Sequence, residues 1–175
     1  MGQRRESSPV TVPILAARRI LIATDGSPGA LRAAQWAASA LGEAVDDIIL
    51  LAVADRSPAP ASTALVLLSG EDDPGLAEPA LQDAGRAIVA TRAVLGDRPA
   101  RGAIMHGAPA EGILRGIDWF RPDAVVLGKR GRGRSGRRLL GSVAAAVAAR
   151  SPVPVFVVPA VFGGDADGPD PATPA

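Results

Sequence analysis

Short runs of unbroken apolar residues, alternating with stretches of helical spacing, constrain this chain more than any other feature. Arg19-Ile-Leu-Ile-Ala-Thr24 and Ile48-Ile-Leu-Leu-Ala-Val53 contain no polar–apolar alternation. A strand of that kind is covered on both faces, as in a parallel sheet sandwiched between helices. Asp123-Ala-Val-Val-Leu127 and Pro154 to Val158 repeat the pattern, and Ala100 to His106 is a weaker instance. Helical stretches fall between them. Ser27-Pro28 reads as an N-cap with proline at the first helical position, and Leu31, Ala34, Ala38 and Leu41 then recur at helical spacing. Further helices are expected over about 75–95, from Ala108-Pro109 to about Phe120, and from Leu139 to Arg150. Strand and helix in alternation define an α/β domain with helices on both faces of a parallel sheet.

One domain is expected over residues 18–162. Residues 1–17 read as an arm of low order, and 163–175 as a solvated tail carrying Asp165, Asp167 and Asp170 with three prolines. The segment from about Asp55 to Pro74 is long for a connection in a compact domain; the apolar Ala64-Leu-Val-Leu-Leu68 within it is a candidate for a short element of its own. No apolar run approaches the roughly 20 residues of a membrane span, and the polar, proline-broken start lacks the apolar region of a signal peptide. The expectation is therefore a cytoplasmic protein without membrane association. The absence of cysteine excludes disulfides and zinc-thiolate sites, and a single histidine, His106, excludes multi-histidine metal sites.

The pattern that points to chemistry is Gly128-Lys129-Arg130-Gly131, nine residues, then Gly141-Ser142. It begins where an apolar strand ends and finishes where a helix begins. Glycine lets the backbone approach a ligand closely, a glycine-rich turn aims N–H groups at phosphates, and the helix start adds free N–H groups with partial positive charge. Residue types alone leave open whether this is a ligand loop or a surface loop with capping residues. Two overlapping motifs fail on context. Gly131-x-Gly133-x-x-Gly136 has dinucleotide-fold spacing, but follows the fourth strand, and no acid ends the next one. The same stretch has P-loop spacing, yet Arg137-Arg138 stands where Lys-Ser/Thr is required. No serine pairs visibly with histidine and an acid as a hydrolytic triad needs. Trp36 and Trp119 read as core or helix-packing residues.

Taken in order, these blocks resemble the universal stress protein family. Ile20-Leu-Ile-Ala-Thr-Asp-Gly-Ser27 is similar to its opening strand and turn, and Gly107-Ala-Pro-Ala-Glu-Gly-Ile-Leu114 to its third-strand exit. Asp123 to Gly128 and Leu139-Leu-Gly-Ser-Val143 are similar to its fourth strand and last helix, and Pro152 to Val158 to its final strand. The resemblance, over roughly residues 17–159, implies a Rossmann-like five-stranded parallel sheet in the order 3-2-1-4-5. It implies ATP as ligand, with Mg2+ as an accompanying ion. Asp25, beside Ala23, would hold the adenosine end, and Val53 would pack on the base. Leu127 and Gly128 would line base and ribose, while Gly131, Gly141, Ser142 and Val143 would surround ribose and phosphates. The family commonly forms homodimers through its last strand.

Three functions are then distinguished. The first is an ATP-binding regulatory protein acting through conformation or partners. Hydrolysis would be slow at most, because no general base is evident near the phosphates. The second is an ATP-using enzyme on a related fold, but its His-x-x-His and Ser-Gly-Gly-x-Asp-Ser signatures are absent from Asp25-Gly-Ser-Pro-Gly29. The third is an adaptor for acidic partners or nucleic acid, through the loop 129–138 with its six cations and no acid. That loop has no aromatic residue for base stacking, which argues against nucleic acid.

Overall fold

The computed structural model describes residues 17–40, 45–54, 65–68, 79–131 and 140–159. Its elements are β1 (Arg19–Ala23), α1 (Pro28–Ala40), β2 (Asp47–Ala54), β3 (Leu65–Leu68), α2 (Pro79–Ala93), β4 (Ala100–His106), α3 (Pro109–Phe120), β5 (Ala124–Gly128), α4 (Ser142–Arg150) and β6 (Val155–Val158). They form one sheet in the order β3-β4-β2-β1-β5-β6. The parallel strands keep the expected order: β4, β2, β1, β5, β6. A sixth strand, β3, adds antiparallel to the outer edge of β4, with Leu65 opposite Met105 and Leu68 opposite Gly102. It coincides with the apolar run expected to form a short element.

Two cores account for the unbroken apolar runs. Alternate residues of each central strand point to opposite faces. Ile20, Ile22, Ile48, Leu50, Ile104 and Val126 pack under α1 and α2 with Ala34, Ala37, Leu81 and Ile88. Leu21, Ile49, Leu51, Met105, Val125 and Leu127 pack under α3 and α4 with Ile113, Ile117, Phe120 and Val147. Trp36 closes the first core at its edge by stacking on Phe156 of β6, ring centroids 5.5 Å apart. Trp119 departs from the expected packing role and is 65% exposed. The buried positions of α3 are 112, 113, 116, 117 and 120, and this arc leaves 118 and 119 facing solvent.

The strands are cross-linked at their N-terminal ends by charge. Asp47 Oδ2 accepts from Arg19 Nε and Arg101 Nη2, both at 2.7 Å. Asp123 Oδ2 accepts the backbone N–H groups of Arg18 and Arg19, both at 2.8 Å. Burial raises the Asp47 pKa, but bonding and attraction from Arg101 and Arg19 outweigh it, so the carboxyl sits below its ordinary value. These bonds lie at the opposite end of the sheet from the cleft described below. Among the described residues no helix is long and apolar enough to cross a membrane. Of the arm read over 1–17 only Ala17 is described, and it is buried. The tail read over 163–175 lies outside the described residues.

Candidate functional site

From β1 the chain winds outward to β2 and β4, then returns to the other side of β1 as β5 and β6. Strand order therefore reverses between β1 and β5, and the strand ends diverge there into a crevice. A cleft of about 520 Å³ occupies that place, within the range of small-molecule sites. All nine residues singled out in the sequence line it. Ala23 and Asp25 come from the exit of β1, Val53 from β2, and Leu127 and Gly128 from β5. Gly131 follows in the loop, and Gly141, Ser142 and Val143 open α4.

The turn after β1 is held by a relay of hydroxyls. Thr91 Oγ1 donates to the Ala87 carbonyl at 2.7 Å, which leaves its lone pairs for Thr24 Oγ1, also 2.7 Å away. Thr24 in turn accepts the Gly26 N–H at 3.1 Å. Gly26 has φ 72°, the left-handed region that favours glycine. Asp25 Oδ1 accepts the Ser27 N–H at 3.0 Å, and Ser27 Oγ caps α1 by accepting the Ala30 N–H at 3.3 Å. The helix is thus capped by Ser27, as its sequence suggests, and Asp25 Oδ2 is turned toward Gly131. A Cβ at Gly131 would lie 2.5 Å from that oxygen.

The glycines at 128 and 141 have equally specific neighbours. A Cβ at Gly128 would meet the backbone of Gly29 at 2.7 Å, and one at Gly141 would meet the Lys129 carbonyl oxygen at 3.0 Å. The same Lys129 oxygen accepts the Gly141 N–H at 2.9 Å, and the Lys129 N–H donates to Val158 at 2.7 Å. The backbone at 128–131 is therefore wedged between the first turns of α1 and α4. Gly141 is the N-cap of α4 and supplies no side chain to cap it. The first intrahelical bond runs from Ala145 N–H to the Gly141 carbonyl, so the N–H groups of Ser142, Val143 and Ala144 have no acceptor within the helix. The sequence placed the start of this helix at Leu139; it starts at Ser142.

Sequence reasoning missed the wall contributed by α2 and α3. Ala80, Asp83, Ala84 and Ala87 line one side, and Pro109 and Ile113 the other. Small residues at 80, 84 and 87 recur on one helix face, but that α2 leans over the crevice is a tertiary fact. Asp83 also pairs with Arg86 on the same helix. His106 lies at the end of β4, where Arg115 Nη2 donates to its carbonyl, and it does not line the cleft. Glu111 occupies the first turn of α3 and pairs with Arg150 of α4; bonding to Arg150 holds its carboxyl below the ordinary range. Of the cationic loop, only Lys129 and Arg130 belong to the described residues, and both line the cleft. Arg132, Arg134, Arg137 and Arg138 lie outside them, as does the segment 55–64. Among the described residues no group of three or more His, Cys, Asp or Glu could hold a metal ion.

Fold and site together define a doubly covered α/β domain with a ligand-sized cleft at the reversal of its sheet. The chain belongs to the universal stress protein family, whose model matches residues 16–159. A protein described as a universal stress protein in the QAH/OAS sulfhydrylase 3′ region of Thermus aquaticus is 40% identical over 55 residues. That match spans 31% of this chain and 40% of the relative's length. Among solved structures, the hypothetical protein MJ0577 superposes with a TM-score of 0.62 at 21% identity, covering 85% of this chain and all (100%) of that one. A universal stress protein in complex with cAMP gives 0.57 at 23% identity, over 83% and 98%. UspA from Lactobacillus plantarum gives 0.60 at 23%, over 81% and 97%.

Proposed function

We propose that this universal-stress-type protein binds an adenine nucleotide, ATP with Mg2+, in the cleft between β1 and β5, and acts by nucleotide-dependent conformation or partner choice. The observation that carries this reading is the convergence of the nine residues, from four separate stretches of chain, on one cleft. Its two ends differ in chemistry. Val53 and Leu127 give an apolar floor suited to a base, next to the Asp25 carboxylate, which can accept from a ribose hydroxyl or a base amino group. The uncapped start of α4, the Ser142 hydroxyl, Lys129 and Arg130 give a cationic, donor-rich end suited to phosphates. A relative of the same fold has been solved with cAMP, which supports an adenine nucleotide as the ligand class.

Mg2+ would arrive with the phosphates, since the described cleft offers Asp25 and Asp83 as carboxylates but no dedicated metal cluster. Hydrolysis is slow at most in this reading, because Asp25, the carboxylate that reaches toward Gly131, is engaged with the nucleoside and not with an attacking water. The protein forms a homodimer through β6. That strand is at the sheet's edge, and Val155, Phe156 and Val157 are only half-buried, an apolar edge that pairing would cover. Thermal-shift assays with ATP, AMP, cAMP and GTP, with and without Mg2+, test the ligand class. Stabilisation by the adenine compounds is expected; equal stabilisation by GTP would contradict it. Sedimentation equilibrium tests the dimer, and a monomer at all concentrations would exclude it.

A further inference from the structure

Glycine inside a helix costs about 1 kcal/mol relative to alanine, so Gly112 and Gly116 in α3 need a reason. Both are buried and face β2. A Cβ at Gly116 would lie 2.5 Å from Leu51 Cδ2, deep in the core. A Cβ at Gly112 would lie 2.7 Å from Val53 Cγ1 and 2.7 Å from Val53 Cγ2. Leu51 also lines the cleft but is wholly buried, whereas the second contact is with a residue partly open to it. Val53 is half-buried and lines the cleft, and rotation about its χ1 cannot clear both methyls at once. Added bulk at position 112 must therefore either push the Val53 isopropyl group into the cleft or lift α3, with Pro109 and Ile113 of the cleft wall, away from the sheet.

We propose that Gly112, which does not itself line the cleft, is a positioning residue that fixes the height of Val53 and so sets the fit of the base at the apolar end. This rests on the adenine-nucleotide reading above and adds a determinant to it. The inference concerns one end only. The phosphate end is built by Gly131, Gly141 and the start of α4, whereas the three atoms nearest a Cβ at Gly112 all belong to Val53. Perturbing Gly112 should therefore separate the two ends energetically, which a general loss of stability would not.

The test is Gly112→Ala, with Val53→Ala and the double substitution, each titrated with adenosine and with inorganic tripolyphosphate by calorimetry. The expected result is that G112A weakens adenosine about tenfold, a loss typical of a misplaced apolar contact, while tripolyphosphate binding stays within about twofold. In the V53A background, where both methyls are gone, G112A should weaken adenosine no more than about threefold, a coupling of the kind found between touching residues. Should G112A fail to fold, V53A and the double variant still decide the matter: relief of the clash requires the double to fold and to bind adenosine within about threefold of V53A. Adenosine binding unchanged by G112A, equal losses for both ligands, or full additivity would overturn the inference alone. A wild-type chain that binds tripolyphosphate but no adenosine, or neither, overturns the adenine reading and the inference with it.

Discussion

Replacing Thr91 by valine isolates the relay that holds the turn carrying Asp25. The two side chains have nearly the same shape, so packing under α2 is preserved. The hydroxyl is lost at a wholly buried position, and with it the acceptor for the Thr24 O–H, itself only 7% exposed. An orphaned buried donor costs about 1–3 kcal/mol. The bond from Thr91 to the Ala87 carbonyl also disappears, but that oxygen retains its place in the helix. T91V should therefore be destabilised by about 1–3 kcal/mol, read from urea midpoints at unchanged slope, or as a fall in Tm of about 2–4 °C per kcal/mol. Thr24→Val together with T91V removes both hydroxyls, so the pair should cost less than the sum of the single changes by at least about 0.5 kcal/mol. The residual loss reflects the Gly26 N–H, which donates to Thr24 Oγ1 and loses that acceptor. A T91V protein within about 0.5 kcal/mol of wild type, or strictly additive singles, would refute the relay.

Other substitutions probe the frame around the cleft. Gly29→Ala improves helix propensity by up to about 1 kcal/mol, yet its Cβ would lie 2.6 Å from the Arg130 carbonyl oxygen. Net destabilisation of about 1–3 kcal/mol is expected from urea unfolding, and a stabilised variant would contradict the wedge between α1 and the loop. Asp47→Asn should cost about 1–2 kcal/mol near neutral pH. Because the folded carboxyl titrates below its unfolded value, its contribution is present above about pH 4 and fades as pH falls further, so wild type and D47N should converge in acid. A gap unchanged at about pH 2–3 would assign the effect to packing instead of charge.

Much of the architecture was legible because the sheet is covered on both faces. Ile48 to Val53 is apolar at every position, since odd and even residues each meet a core, the pattern of a strand covered on both faces. The site was legible where function and backbone geometry coincide in one stretch, as in Gly128 to Gly131 and Gly141-Ser142. It was not legible where it depends on contacts across the fold. Nothing local to Asp25 shows that its Oδ2 faces Gly131, and nothing local to Gly112 shows that Val53 lies beneath it. Trp119 misled for a related reason: large aromatics are mostly buried, but the arc of α3 buried by its glycines and isoleucines turns position 119 outward. The start of α4 shifted because Gly141, extended at φ −65° and ψ 151°, caps the helix and stands outside it.

The central claim is that the glycine cradle holds the phosphates of ATP. It is tested most directly by calorimetric titration of nucleotide-stripped protein with ATP and Mg2+, beside a folded Gly131→Val, Gly141→Val variant. The wild type should show saturable binding that the variant loses, since a side chain at 131 displaces Asp25 and one at 141 displaces the Lys129 backbone. Absence of heat from the wild type up to about millimolar ATP, a concentration corresponding to only about 4 kcal/mol of binding, or equal binding by both proteins, would contradict it.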